Sequence, residues 1–444
     1  MSIKKSLLWT TLVLSLPSIV QQLMTNLAQM VDNLMVGQLQ ESAIAGVTIT
    51  NQVFFIFTIV LFGVGSTAGI YLTQYHGAKN HGKMNEVFRM SMLFSMIAGI
   101  LFYGVMRFWP ERVLGFFASG GYTIGDALEY LRFIQYSFLI FPISMTVANG
   151  FRYSGFVRLP MYISTGTVAV SIFLNYGLIH GNLGMPAMGV AGAGLATLIT
   201  RALEAFIYVL LTWILKSPIK ISILKGLSFS KALFKEFVQK GYGLVLNEFF
   251  WAFGVQALTV IYTQRLSSNI AALSISQALG NMIFIGMGGM SVAYSIILGE
   301  HLGKGEFAEA KEKAKRLLKI SALIGAVLGA VVFLLSYPVF GLYDVSSETI
   351  ATARTLLMLN AVFSFIYYMN GGFYFILRSG GDTKGVVMVD AGFNWAIVIP
   401  IAFALGWFGL LLPIHFFLVQ LLELLKLYVG ACLFKKGLWL KNLT

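Results

Sequence analysis

The sequence predicts an all-α integral membrane protein: twelve transmembrane helices in two six-helix lobes, with both termini cytoplasmic. Three observations predict it. Of 444 residues, 57% are hydrophobic and only 11% charged, whereas soluble globular chains run at roughly 45–50% and about 25%. The apolar residues form continuous runs, of about the 20 residues a helix needs to cross a hydrocarbon layer or longer, and do not alternate as the roughly 10-residue strands of a membrane β-barrel do. The basic residues gather on one side once those runs are threaded back and forth. Ordinary soluble enzymes and disordered chains are excluded, the latter because disorder needs low hydrophobicity and high charge.

The spans run over 9–36, 43–75, 86–108, 127–151, 159–181, 188–215, 236–263, 268–300, 314–341, 349–377, 385–406 and 408–434. With the N-terminus inside, 25 of the 31 Lys and Arg residues fall on the cytoplasmic side, from Lys4, Lys5 and Lys79 through Lys216, Lys225 and Lys315 to Lys441. Glu41, Glu111, Asp126, Asp344 and Glu348 fall outside. This is the positive-inside asymmetry of a multi-pass protein of the cell membrane. It also accounts for the net charge of +13, so the lipid bilayer, and not nucleic acid, is the expected partner. The first run continues past residue 30 with no small-residue cleavage site and is expected to stay in the protein. The lone Cys432 lies in the last run and reads as a packing residue. No Cys/His cluster has metal-ligand spacing, so no metal is expected.

The longest basic linker, 217–235, sits near mid-chain and separates residues 1–216 from 236–444. An offset of 226 residues pairs Gly63 with Gly289, Gly77 with Gly303, Gln38 with Gln264, Ile49 with Ile275, Arg152 with Arg378 and Gly155 with Gly381. An even number of spans per lobe gives both the same orientation, so the duplication predicts parallel repeats around a central cavity, a transporter architecture.

Ionisable residues inside the spans are costly in lipid and are functional candidates by default. Apart from lone Lys and Arg near span ends, they are Asp32, Arg201, Glu204, Glu248, Asp390 and the Glu423/Lys426 pair. Asp32 stands out. Helical spacing stacks it with Gln21 and Thr25 along one row of the first span, beside a row of Gln22, Asn26, Gln29 and Asn33. So long a polar stripe faces protein or a wet cavity, not lipid. Pro17 removes a backbone hydrogen bond upstream and allows a bend. An aspartate held away from water favours its neutral form, which is what a proton carrier requires. Ser171 and Asn175 lie one turn apart on the fifth span, and Thr197 follows the small-residue run Gly189–Ala196 on the sixth; these residues serve close packing or a cation pocket equally well. Arg201 with Glu204, and Glu423 with Lys426, have the spacing of neutralised pairs, while Asp390 reads as solvated at an inner span end. Glu248, near the repeat partner of Gln22, has no charged neighbour in sequence. Gly286-Met287-Gly288-Gly289 is no phosphate loop, since it follows no strand and lacks the Lys-Ser/Thr ending. No ATPase module is present, so transport would run on an ion gradient or be passive.

Taken together, Met30-Val31-Asp32-Asn33-Leu34-Met35-Val36-Gly37, Thr73-Gln74-Tyr75-His76-Gly77-Ala78-Lys79-Asn80, Val190–Thr197, Asn247-Glu248-Phe249-Phe250-Trp251 and Arg378–Thr383 resemble the multidrug and toxic compound extrusion (MATE) family of cation-coupled antiporters. The resemblance spans nearly the whole chain. It implies that Asp32 is the first-helix acid of the N-terminal lobe, with Ser171, Asn175 and Thr197 at the positions where some branches complete a cation-coupling site. The second carboxylate of those branches is missing here. Other branches use an acid on the seventh span and one on the tenth. Glu248 lies about one turn from the former, as a candidate C-terminal-lobe site, and Tyr367 stands at the latter.

The resulting expectation is a non-enzymatic, monomeric, secondary active exporter. It would exchange amphipathic organic cations for H⁺ (or Na⁺) by alternating access, with no cofactor beyond the coupling ion. Its 37 Phe, 19 Tyr, 7 Trp and 19 Met could offer such cations aromatic faces and adaptable thioethers. A flippase for lipid-linked oligosaccharides, from the same superfamily, is the alternative; its cavity should carry several Arg or Lys for pyrophosphate, and only Arg201 is a mid-membrane candidate. A channel or scaffold is the third reading, less compatible with a repeat and lone buried acids.

Overall fold

The computed structural model describes residues 6–118, 124–215, 217–220, 229–265, 270–341 and 345–444. Lys4, Lys5, Lys216, Lys225, Asp344 and residues 221–228 of the basic linker lie outside the described residues, as do the side chains of Glu41, Gln264 and Arg265.

The described chain is helical throughout. Its elements are α1 (Leu7–Gly37), α2 (Glu41–Gly77), α3 (His81–Phe108), α4 (Pro110–Phe117), α5 (Gly125–Ile134), α6 (Ser137–Tyr153), α7 (Arg158–His180), α8 (Gly189–Ile214), α9 (Lys231–Arg265), α10 (Ile270–Gly303), α11 (Phe307–Phe340), α12 (Ser347–Ser379), α13 (Thr383–Val389), α14 (Ala391–Phe393), α15 (Ile399–Leu405) and α16 (Leu412–Lys436). Helices are the expected solution, because lipid leaves backbone groups no partner but one another. Among the described residues eleven helices are long and apolar enough to cross a membrane. A twelfth span is formed if α5 and α6, bent by 52°, count as one. Each matches a span expected from the sequence.

The chain forms two compact units. One comprises Val20–Leu72 and Lys79–Gly241; the other takes the first turns of α1 up to Ile19, Thr73–Ala78 at the end of α2, and Tyr242–Thr444. α1 thus changes unit within three residues of its internal Pro17.

In the first unit α8 packs on α5, α6 and α7. Its small-residue start makes this possible. A Cβ on Gly192 would lie 2.3 Å from the Leu178 carbonyl oxygen, and one on Gly194 2.6 Å from that of Tyr130. Packing is therefore what the glycines of this run serve. Beside it Phe54, Phe57, Phe102 and Phe138 form an aromatic cluster, with Phe57 and Phe138 edge to face at 5.0 Å. In the second unit α11 and α12 use the same device: Gly325 and Gly329 face Ser364, whose hydroxyl donates to the Gly325 carbonyl at 2.8 Å.

Two of the pairs given by the 226-residue offset, Arg152 with Arg378 and Gly155 with Gly381, share a local geometry. α6 ends with Phe156 N–H donating to Phe151 O and Gly155 N–H to Arg152 O. α12 ends with Asp382 N–H donating to Leu377 O and Gly381 N–H to Arg378 O. Both are Schellman closures, with Gly155 at φ 95° and Gly381 at φ 72°, a conformation that favours glycine.

Candidate functional site

The polar stripe of α1 takes its partners from four other helices of its unit. Asn175 on α7 donates from Nδ2 to Asp32 Oδ1 at 2.5 Å. The other end of that amide, Asn175 Oδ1, is buried with no hydrogen-bond partner. Tyr130 on α5 is fixed by burial, pairs with the Thr197 side chain on α8, and lies within electrostatic reach of both Asp32 and Arg201. Thr197 also donates back to the Ala193 carbonyl. Asp32, Asn175 and Thr197, chosen from the sequence, are therefore brought together around Tyr130, which was not. Ser171 is buried one turn before Asn175 but makes no hydrogen bond to Asp32 among the described residues.

Eleven residues upstream of Asp32, Gln21 accepts from Arg152 Nη2 at 2.9 Å, and Arg152 Nη1 donates to Asn149 at 2.7 Å. Thr25 spends its hydroxyl on the Gln21 carbonyl of its own helix. Gln22 and Gln29 are exposed and Asn26 is partly so. The row holding Asp32 is thus built into the unit, while the neighbouring row is mostly open.

Asp32 has no basic neighbour on α1, but the fold supplies one. Arg201 on α8 lies within electrostatic reach of it. The Arg201 guanidinium stands 4.3 Å from the centre of the Phe141 ring and 5.9 Å from that of Phe54. The expected intrahelical pair with Glu204 is present at 3.5 Å.

The second unit carries a separate polar cluster. Glu248 is 8% exposed and accepts from the Tyr374 hydroxyl at 2.6 Å, with Arg378 and Asp390 in electrostatic reach. Arg378 lies 5.3 Å from the ring centres of both Tyr374 and Phe375. Tyr367, also buried, donates to Asn360 Oδ1 at 3.3 Å, so no carboxylate stands at its position.

Two expectations for this unit are corrected. Glu423 and Lys426 do not pair: Lys426 turns to Asp390 at 3.6 Å, and Glu423 accepts from Asn370 at 2.7 Å. Asp390 is not a solvated residue at a span end. It sits at a break between α13 and α14, at φ −109° and ψ −96°, where Asn247 Nδ2 donates to its carboxylate at 2.9 Å and Asn247 Oδ1 accepts from Ala391 N–H at 3.3 Å. A π-helical turn, Asn394–Val398, follows. Spacing along one helix favoured the intrahelical pair; a break that frees backbone and carboxylate in an apolar span attracts the nearest donors instead.

The metal expectation meets one grouping of histidine and acids among the described residues. His301 Nδ1 lies 2.5 Å from Glu306 and 3.6 Å from Glu309 at the α10–α11 turn. The Lys313 ammonium occupies the other ring nitrogen. Since that ammonium can only donate, Nδ1 carries the proton and donates to Glu306. The Glu306 and Glu309 side chains are 43% and 63% exposed, that of His301 12%.

The sequence model of the MatE family matches two stretches, residues 17–177 and 245–404. The chain is 24% identical over 414 residues to the probable multidrug resistance protein NorM of Thermotoga maritima, covering 91% of this chain and 89% of that one. It is 24% identical over 411 residues to the multidrug resistance protein PmpM of Pseudomonas aeruginosa, covering 89% and 84%. A solved structure of a multidrug resistance MATE family transporter in an outward-facing conformation matches with a TM-score of 0.85 at 17% identity, covering 97% and 96%. At that identity the structural likeness concerns the fold.

Proposed function

Because this chain belongs to the MatE family of multi-pass membrane transporters, we propose that it is a multidrug exporter that drives amphipathic organic cations outward in exchange for protons, by alternating access. The observation that carries the reading is the Asp32–Asn175 pair. It sets a carboxylate beside an amide whose own carbonyl oxygen is buried without a partner. Two oxygens with unused acceptor capacity in an apolar surround favour uptake of a positive charge. No second carboxylate stands with them on α7, whose buried polar residues are Ser164, Thr167, Ser171 and Asn175, and this favours a proton over sodium.

On this reading Asp32 takes a proton from the outer side, which neutralises the site, and gives it up to the inner side, where the ionised carboxylate favours the organic cation. Protonated and ionised forms stabilise different conformations of α1, and Pro17 supplies the place to bend. The two lobes, 1–216 and 236–444 joined by the linker 217–235, are read as a parallel duplication; the matching Schellman closures at Arg152–Gly155 and Arg378–Gly381 support it. Arg201 argues against the oligosaccharide flippase, since its charge is engaged by Glu204 and the Phe141 face. The test is dye efflux from energised vesicles, comparing an imposed proton gradient with a sodium gradient. Transport on the proton gradient alone is expected; transport on the sodium gradient alone would overturn proton coupling.

A further inference from the structure

Within the first unit one guanidinium pairs with one carboxylate and lies within electrostatic reach of a second. Arg201 and Glu204 leave α8 three residues apart and meet at 3.5 Å, at the long limit of a hydrogen bond. Asp32, from α1, is the other acid within reach of Arg201. The Phe141 and Phe54 rings flank the guanidinium, whose side chain is 28% exposed, and Glu204 is only 8% exposed. One turn further along α8, Tyr208 is fully buried with no partner for its hydroxyl among the described residues. It lies within electrostatic reach of Glu204 and of Arg152 on α6. Tyr130 on α5 also lies within electrostatic reach of Asp32 and Arg201.

The charges of this cluster do not balance with both acids ionised. Asp32, Arg201 and Glu204 then sum to one negative charge in a low-dielectric surround, which strongly favours binding one proton. We propose that Glu204 is the second acid of the coupling site, and that Asp32 and Glu204 share one exchangeable proton about Arg201. In one form the proton is on Asp32 and Arg201 faces an ionised Glu204. In the other it is on Glu204 and Arg201 faces an ionised Asp32. The proton is taken from water as a carboxyl O–H bond forms and is returned to water as that bond breaks, so the cluster alternates between neutral and singly negative. The family's missing second carboxylate on α7 is thereby replaced by one on α8. Glu204 exchanges the proton directly, while Arg201, which pairs with whichever acid is ionised, is the positioning residue. The proposal rests on the reading that Asp32 carries the coupling proton.

The signs of the expected effects are opposite for the two α8 residues. Glu204→Gln leaves Arg201 to Asp32 alone, which favours ionised Asp32, so protonation needs a lower pH. Arg201→Gln removes the cation and favours protonated Asp32. The experiment is proton-driven ethidium transport in proteoliposomes across a pH series, for the wild type, Glu204→Gln, Glu204→Asp, Arg201→Gln and Asp32→Asn. Glu204→Gln should move the pH midpoint to the acid side by about one unit, a tenfold change in apparent proton affinity. Arg201→Gln should move it to the alkaline side, and Glu204→Asp should restore the wild-type midpoint. A purely structural role predicts lower amplitude at an unchanged midpoint in both Gln variants, and that result would overturn the proposal while Asp32→Asn remains inactive. Uphill transport by Asp32→Asn would instead overturn the underlying assignment of Asp32. If Glu204→Gln does not assemble, an unmoved midpoint in Arg201→Gln decides against the proposal by itself.

Discussion

Asn175 donates its side-chain amide to the Asp32 carboxylate across 143 residues of sequence, and the carbonyl end of the same amide has no partner. The amide thus holds the acid in place with one end while its other end still lacks a donor.

Asp32→Asn should insert and fold normally, since it removes a charge from a half-buried site and keeps a group that can accept from Asn175. It should abolish proton-driven dye efflux and the pH dependence of substrate binding. Each pKa unit by which Asp32 differs between the two conformations is worth about 1.4 kcal/mol. Near wild-type uphill export by the variant would exclude Asp32 as the coupling residue.

Glu248→Gln should weaken transport less than Asp32→Asn. A glutamine oxygen can still accept from the Tyr374 hydroxyl, and no acid stands at Tyr367 to complete a second coupling site. The comparison is initial efflux rate per folded transporter; complete loss in Glu248→Gln would reverse the ranking.

Asn247→Ala should destabilise the second unit. It strips the Ala391 amide and the Asp390 carboxylate of a partner at a helix break inside a span. An unmet buried polar group costs about 1–3 kcal/mol, more for a charged one. A lowered thermal midpoint in detergent, followed by circular dichroism, is expected, and an unchanged midpoint would show that Lys426 alone suffices for Asp390.

Cysteine substituted at Lys311 should react with a membrane-impermeant thiol reagent only after permeabilisation, and cysteine at Ser346 should react in intact cells. Both residues are exposed; Lys311 lies in the second turn of α11 and Ser346 beyond its opposite end. The reverse labelling pattern would invert the topology drawn from the basic residues.

The number and limits of the spans, the uneven spread of basic residues between them and the lone acid Asp32 in its polar stripe were all legible in the sequence. Hydropathy and charge are properties of local windows, and a lone acid in a polar stripe is rare enough to stand out. Asn175 and Thr197 were legible from spacing only as packing or pocket residues alike, and family resemblance added the coupling role. Tyr130 had no signal, being one of 19 tyrosines, and Arg152 showed only as a repeat position. The choice of Lys426 for Asp390 over Glu423, and the approach of Arg201 to Asp32, were decided by tertiary structure. A span that is apolar on nearly every face carries little information about how it is rotated. Which polar side chains meet across neighbouring helices follows from that rotation, from glycines such as Gly192 and Gly194 that let backbones close in, and from the break at Asp390.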